Sequence, residues 1–136
     1  MRKKLLPPAG VKTHEEFLTV TQNEIDNLNH VNNVVYLQWV NTIAENHWEI
    51  LSNDEVNSKY YWVCTRHEID YLGEALLHDN IRLLTWIGET GGVKSIRYVN
   101  IYNEDKLIVT VSSTWCLIDK NTSRPSRIDQ EILDLL

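Results

Sequence analysis

The stretch Asn33–Leu51, NVVYLQWVNTIAENHWEIL, has the clearest helical pattern in this chain of 136 residues and contains neither Gly nor Pro. One face of the predicted helix carries these side chains at helical spacing: Tyr36, Val40, Ile43, His47 and Ile50. A second set lies beside them: Leu37, Ala44, Trp48 and Leu51. An apolar stripe of this width predicts a helix that is largely buried.

Strand-like segments lie on both sides of this helix. Residues 17–21 are rich in β-branched and aromatic side chains, which predicts a short first strand before the helix. Residues 52–59 are interpreted as a polar loop. After that loop, alternating apolar and polar residues predict four long strands, at residues 60–71, 80–89, 93–102 and 106–118.

Two short connections in this second part have the composition of hairpin turns. They are Gly91-Gly92 and Asn103-Glu104-Asp105, and both predict antiparallel neighbours. One helix between the first two strands, followed by a meander, is an α+β pattern. A single antiparallel sheet curled around the helix satisfies that pattern, although periodicity alone also permits other helix-on-sheet topologies.

Charge and composition limit the classes of partner. The formal net charge is −6 and the sequence pI is about 5.3, with no basic run after Lys4. Nucleic acid is therefore not expected as the main partner, because phosphate binding uses clustered Lys and Arg. No apolar run approaches the roughly 20 residues of a membrane span, so we expect no membrane insertion.

The N-terminus and the cysteines indicate a cytoplasmic protein. The apolar pair Leu5-Leu6 is ended at once by Pro7 and Pro8, unlike a signal peptide. The two cysteines, Cys64 and Cys116, lie in apolar strand-like segments, where buried inert thiols are the more common interpretation. We expect one domain spanning residues 1–136, with residues 1–10 as a loose lead-in.

Residues 24–33, EIDNLNHVNN, form an unusually polar connection directly before the buried helix. One explanation is capping, with Asn32 or Asn33 accepting from free helix N–H groups and Asp26 facing water. The other is chemical. A helix N-terminus offers unpaired N–H donors and a positive dipole end that stabilise an oxyanion, and Asp26 could attack or activate water beside it. Spacing alone leaves both explanations open.

The same segment resembles a family signature, Asp26-x-x-x-His30-Val31-Asn32-Asn33-x-x-Tyr36. It resembles the hotdog-fold thioesterases related to 4-hydroxybenzoyl-CoA thioesterase, to bacterial long-chain acyl-CoA thioesterases and to plant acyl-ACP thioesterases. Residues 36–39 also resemble the plant enzymes, and residues 115–119 are similar to the last strand of the bacterial group. The likeness covers roughly residues 16–120. It implies a curled antiparallel five-stranded sheet wrapped around one long central helix.

The resemblance also implies an activity and a catalytic group. The activity is hydrolysis of an acyl-CoA thioester to a free acid and CoA. Asp26 would be the nucleophile or general base, and a backbone N–H near Asn33 would be the oxyanion donor. His30 would orient the substrate or the carboxylate, or would hold the loop as a buried hydrogen-bonded residue. The plant enzymes have Asn two residues after the catalytic Asp, where this chain has Leu28, so the simpler bacterial arrangement is the better match.

Substrate contacts are expected from residues of the same motif and from positively charged side chains. Asn32 and Tyr36 are the expected contacts within the motif. Lys94 follows the Gly91-Gly92 turn, where the family's hairpin often contacts nucleotide phosphates, although a solvated strand-end lysine is the simpler interpretation. Three weaker candidates for phosphate contact are Arg66, Arg97 and Arg124.

No cofactor is expected, because CoA is part of the substrate. Asp26 and His30 lack a third convergent ligand for a metal ion in the sequence. The family pairs sheet edges into dimers and often tetramers, so a homodimer or homotetramer is expected. The alternatives are an acyl-ACP thioesterase and a non-catalytic hotdog module that binds acyl thioesters.

Overall fold

Five antiparallel strands form a single sheet in the computed structural model, which describes residues 6–136; residues 1–5 of the expected lead-in lie outside the described residues. The strands are β1 (Thr13–Thr19), β2 (Tyr60–Tyr71), β3 (Asn80–Gly91), β4 (Lys94–Asn103) and β5 (Lys106–Asp119). The helices are α1 (Asn33–Leu51), α2 (Asp54–Lys59) and α3 (Gln130–Leu133). A 3-10 turn at Gln22–Glu24 precedes α1.

The strands lie in the order β1-β3-β4-β5-β2, so β1 and β2 are the sheet edges. Both predicted hairpins are confirmed: Gly91 pairs with Lys94 across the first turn, and Asn103 pairs with Lys106 across the second. Gly92 has φ of 61°, the left-handed conformation that glycine adopts without steric cost. The expected meander holds only for β3 to β5, because β2 pairs with β5 at the far edge instead of with β3.

The sheet curls around α1 and encloses the core. The bounds of α1 match the predicted helix, and its buried side chains pack against the inner face of the sheet. The main core contacts come from Tyr36, Trp39, Val40, Ile43, Leu83, Val99 and Val111. Burying each aliphatic side chain of this kind contributes about 1.5–3 kcal/mol to folding. Ile50 was expected on the buried face but is 65% exposed, because it lies at the edge of the sheet, in an open groove with His14 and Glu16 of β1.

Two local predictions are wrong. The first strand begins and ends earlier than residues 17–21, because polar residues of β1 pair with β3 and contact α1, with Glu16 accepting from Asn46 and His14 stacked on His47. Residues 54–59 form α2 instead of a loop. Asn53 caps α2 by accepting from the N–H of Val56 at 2.9 Å, and Val56 is buried against Leu117 and Ile132.

Candidate active site

The start of α1 keeps one backbone donor unused. The Asn32 side chain caps the helix, accepting from the N–H of Val34 at 3.1 Å, and the Asn32 carbonyl accepts from the N–H of Val35 at 2.8 Å. Within residues 6–136, the N–H of Asn33 has no hydrogen-bond acceptor. The capping prediction is therefore confirmed for Asn32, and the helix dipole leaves a positive donor at Asn33.

Asp26 lies at the base of a tight loop that leads into this helix. Its backbone N–H donates to the carbonyl of His30 at 2.9 Å, and its carbonyl accepts from the N–H of Asn29 at 3.1 Å. Asn29 has φ of 63°, a left-handed conformation that Asn tolerates well. A bridge between Ile25 and Val31 extends this pairing toward the helix. The loop thus carries Asp26 on the arm antiparallel to the residues that start α1.

The two oxygens of the half-buried Asp26 carboxylate have different surroundings. Oδ1 accepts from the N–H groups of Leu28 at 2.9 Å and His30 at 3.4 Å, and so holds the loop. Oδ2 accepts no hydrogen bond from the described part of the chain. The carboxylate is oriented through one oxygen and leaves the other available to water or to an electrophilic carbon.

The connection between β2 and β3 holds this loop in place. The N–H of Val31 donates to the carbonyl of Ala75 at 2.9 Å, and Nδ1 of His30 lies 3.0 Å from Oε2 of Glu74. The His30 ring therefore contacts Glu74, while its backbone N–H contacts Asp26. Farther along the chain, Trp39 Nε1 donates to Glu24 Oε2 at 3.1 Å.

Tyr36 belongs to the core. Only 2% of its surface is exposed, and its hydroxyl accepts from the N–H of Ala75 at 3.0 Å. Burial raises the pKa of its phenol. In this structure Tyr36 fixes the β2–β3 connection behind the Asp26 loop, and Asn32 uses its side chain as the helix cap. The substrate contacts expected of Asn32 and Tyr36 stay predictions.

The expected phosphate contacts do not lie beside Asp26 in one copy of the chain. Lys94 is exposed at the start of β4, opposite Cys116 of β5. Lys94 therefore lies near the start of β2, because Cys116 pairs with Val63. Tyr71 ends β2, and its hydroxyl lies 3.5 Å from the carbonyl of Asn33, so the Asp26 loop lies at the opposite end of the sheet. Arg66 lies between these ends and forms an exposed ion pair with Glu68 at 2.8 Å.

A cavity of about 280 Å³ lies between the second half of α1 and the sheet, away from the Asp26 loop. Its lining includes Ala44, Trp48, Trp62, Ile87, Arg97 and Trp115. Arg97 was expected as a weaker candidate for phosphate contact at the surface. In the structure it is 6% exposed and faces α1. The sequence carried a signal for this burial, because Arg97 alternates in β4 with Ser95 and Val99 on the side of the strand that faces the helix.

Arg97 and His47 form a buried polar contact beside this cavity. Nη1 of Arg97 donates to Nδ1 of His47 at 2.9 Å and to Oγ1 of Thr85 at 3.0 Å. Burial, with the nearby Arg97 charge, lowers the pKa of His47 to about 4. His47 is therefore a neutral acceptor at physiological pH. Burial also lowers the pKa of Arg97, to about 10, so its guanidinium stays charged.

Other structural features bear on the expected partners. No group of three or more His, Cys, Asp or Glu side chains in the described residues is arranged to share a metal ion. None of the helices in residues 6–136 has the length and apolar character needed to cross a membrane.

A sheet curled around one long helix is the hotdog fold, and the family that this sequence matches consists of thioester hydrolases. A family model for the acyl-ACP thioesterase N-terminal domain matches residues 10–136, and the chain belongs to this family. No curated protein matches the chain.

Solved structures show the same fold at low sequence identity. A predicted thioesterase from Bacillus stearothermophilus has 20% identity and a TM-score of 0.81, covering 90% of this chain and 92% of the other. A 1,4-dihydroxy-2-naphthoyl-CoA thioesterase from Synechocystis has 14% identity and a TM-score of 0.78, with coverages of 91% and 95%. The 12:0-ACP thioesterase from Umbellularia californica has 15% identity and a TM-score of 0.80, covering 90% of this chain and 48% of that enzyme.

Proposed function

We propose that this thioester hydrolase converts acyl-CoA to a free acid and CoA, with Asp26 as the catalytic carboxylate. The observation that supports the proposal is that Oδ2 of Asp26 and the N–H of Asn33 at the start of α1, on the two arms of one loop, have no hydrogen-bond partner in the described residues. A carboxylate and a helix-end donor are the two groups that thioester hydrolysis needs.

Two chemical routes to hydrolysis use Asp26 and the N–H of Asn33. As a general base, Asp26 accepts a proton from water while the water oxygen bonds to the thioester carbonyl carbon. As a nucleophile, Asp26 bonds to that carbon itself, and water later hydrolyses the mixed anhydride. In both routes the carbonyl oxygen becomes an oxyanion facing the N–H of Asn33, the C–S bond breaks, and the thiolate leaves and takes up a proton. Neither route uses a metal or an organic cofactor.

His30 supports this chemistry as a positioning residue in the proposal. Its backbone N–H donates to Oδ1 of Asp26, and its ring is held by Glu74 from the β2–β3 connection. These contacts orient the carboxylate without placing the imidazole on the reacting atoms. In the proposal, the backbone N–H of His30 therefore takes the orienting role that was expected of this residue.

A homodimer through the β2 edge would complete the site. The β1 edge has 7 residues and carries Glu15 and Glu16, features that discourage pairing with another sheet. The β2 edge has 12 residues, with Tyr61, Val63 and Tyr71 substantially exposed. Antiparallel pairing of two β2 edges would bring the start of β2 in one copy beside the end of β2 in the other.

This pairing would join groups that are separated in one copy. The Lys94 end of the sheet in one copy would lie beside the Asp26 loop of the other, so that the cation could meet CoA phosphates while the carboxylate meets the thioester. A two-fold axis would generate two such sites. Tetramers would form by further association of such dimers.

Hydrolysis of acyl-ACP is the second candidate, favoured by the family match over residues 10–136. CoA and ACP present the same phosphopantetheine arm, but only ACP offers a protein surface. A thiol-release assay over matched acyl-CoA and acyl-ACP esters tests both candidates. Higher kcat/KM on CoA esters supports the first, higher kcat/KM on ACP esters supports the second, and no hydrolysis of either contradicts the proposed function.

A further inference from the structure

Trp115, in the wall of the cavity between α1 and the sheet, carries a hydrogen-bond donor that has no acceptor in the described residues. Nε1 of Trp115 is buried and has no hydrogen-bond partner in the described residues. Buried indole N–H groups normally find an acceptor, and leaving one unpaired is destabilising. The neighbouring indole of Trp48 differs, because its Nε1 donates to Oδ1 of Asn57 at 3.0 Å.

A second donor lines the same cavity. The guanidinium of Arg97 contacts the neutral groups of His47 and Thr85, and no carboxylate in residues 6–136 lies within 4.0 Å of it. A buried charge is usually paired, because removing it from water is costly. Burial is the cause of its lowered pKa. Arg97 therefore presents a positive charge that neutral partners only partly satisfy.

The remaining walls suit a carbon skeleton. Trp48 and Trp62 meet edge to face, with ring centroids 5.7 Å apart, and Ala44 and Ile87 add apolar surface. The charged side chains of Glu45 and Lys120 also line the cavity but are exposed, one of each sign. A volume of about 280 Å³ is near the lower end of small-molecule sites, which are roughly 300–1,000 Å³.

We infer that this cavity binds a carboxylate, with Arg97 and Trp115 as its hydrogen-bond donors and the tryptophans packed on the attached carbon chain. A carboxylate supplies what both groups lack, an acceptor and a negative charge. We assign this carboxylate to the far end of the acyl group, and this assignment rests on the proposed function. The substrate is then the monothioester of a dicarboxylic acid. In the β2-paired dimer, the start of β2 with Tyr60 and Trp62 at the cavity wall would face the Asp26 loop of the second copy.

The test compares octanedioyl-CoA with octanoyl-CoA, which differ in the terminal carboxylate. The expected result is a kcat/KM for octanedioyl-CoA at least tenfold higher. Trp115→Phe removes the N–H and replaces the indole by a smaller aromatic ring, and should reduce this preference by about tenfold, the loss of one hydrogen bond to a charged group. The matched control Trp48→Phe, whose N–H is already used by Asn57, should keep the preference.

Binding of free octanoate gives a readout that does not depend on hydrolysis. Octanoate should quench the tryptophan fluorescence of the wild-type protein, and Trp115→Phe should weaken its apparent affinity by a similar factor. Octanoate binding without any ester preference would keep the carboxylate site but overturn its assignment to the acyl group, leaving a free acid as the ligand. No octanoate binding and no ester preference, in an enzyme that hydrolyses octanoyl-CoA, would overturn the inference. If neither ester is hydrolysed, the proposed function fails, and the fluorescence titration still tests the cavity.

Discussion

Asp26 and His30 are hydrogen-bonded to each other through their backbones, with the N–H of Asp26 donating to the carbonyl of His30 at 2.9 Å. The N–H of His30 reaches back to Oδ1 of Asp26 at 3.4 Å. The pair closes a loop of three residues, and the carboxylate takes part in holding that loop. A substitution at Asp26 can therefore change loop stability as well as chemistry, and the two effects have to be separated.

The left-handed residue Asn29 should be sensitive to side-chain shape. Asn29→Gly should leave the free energy of unfolding nearly unchanged, because Gly adopts positive φ easily. Asn29→Val should lower it by about 1–2 kcal/mol, because a β-branched residue is strained there. Urea unfolding measures both, and Asn27→Val in the same loop is the control. Equal stability of the Gly and Val variants at position 29 would be inconsistent with the described loop.

The contact between His30 and Glu74 is expected to contribute little to stability. Both side chains are well exposed, at 39% and 57%, so a double-mutant cycle with Ala at each position should give a coupling energy below about 1 kcal/mol. His30→Ala should lower kcat/KM by less than tenfold, because the backbone N–H that contacts Asp26 is retained. A loss as large as that of an Asp26 variant would instead place the imidazole in the chemical step.

Stability should rise with pH between about 4 and 6.5 because of His47. The folded protein holds this imidazole neutral, with a pKa of about 4 instead of 6.5, while the unfolded chain binds the proton below pH 6.5. The unfolded state thus carries more protons in this window. Stability is therefore full above pH 6.5 and falls as the pH drops toward 4, by up to about 3 kcal/mol.

His47→Gln should reduce this pH dependence. Gln cannot titrate, and its carbonyl can still accept from Arg97. Urea unfolding at several pH values should show a shallower slope between pH 4 and 6.5 in the variant. A residual slope is expected from His67, whose pKa is also lowered by burial. An unchanged slope would show that His47 is not held neutral in the folded protein.

Lys94→Ala should raise KM for CoA esters by several-fold and leave KM for the matching pantetheine esters unchanged. The reason is that pantetheine lacks the nucleotide phosphates that Lys94 is proposed to meet. Steady-state kinetics on both ester series make the comparison within one variant. Equal changes in KM for both series would remove Lys94 from nucleotide recognition.

Much of the fold was predictable, because in its central elements the spacing of the apolar residues along the sequence matches the face that is buried. The bounds of α1 and β2 follow directly from runs that keep one period. The edge strand β1 was misplaced because an edge strand need not alternate strongly, and α2 was missed because one buried residue, Val56, is too weak a signal. The position of β2 beside β5 depends on long-range pairing, which no local pattern encodes.

The candidate site was predictable in part, and for a different reason. The motif identified the loop and the helix start, but spacing could not show that Oδ1 of Asp26 is used by the loop while Oδ2 is not. The sequence also could not show that Arg97 turns inward to meet His47, since the two residues lie on different elements that only the tertiary fold brings together.

The rate of thioester hydrolysis by Asp26→Asn decides whether Asp26 is the catalytic carboxylate. Asn keeps an oxygen that can accept from the N–H groups of Leu28 and His30, so the loop should hold and the melting temperature should change little. Asp26→Ala, which removes that oxygen as well, should also lower the melting temperature. Asp26→Asn should lower kcat by about 10²- to 10⁴-fold in the folded protein. A folded Asp26→Asn variant with undiminished turnover would contradict a catalytic role for Asp26.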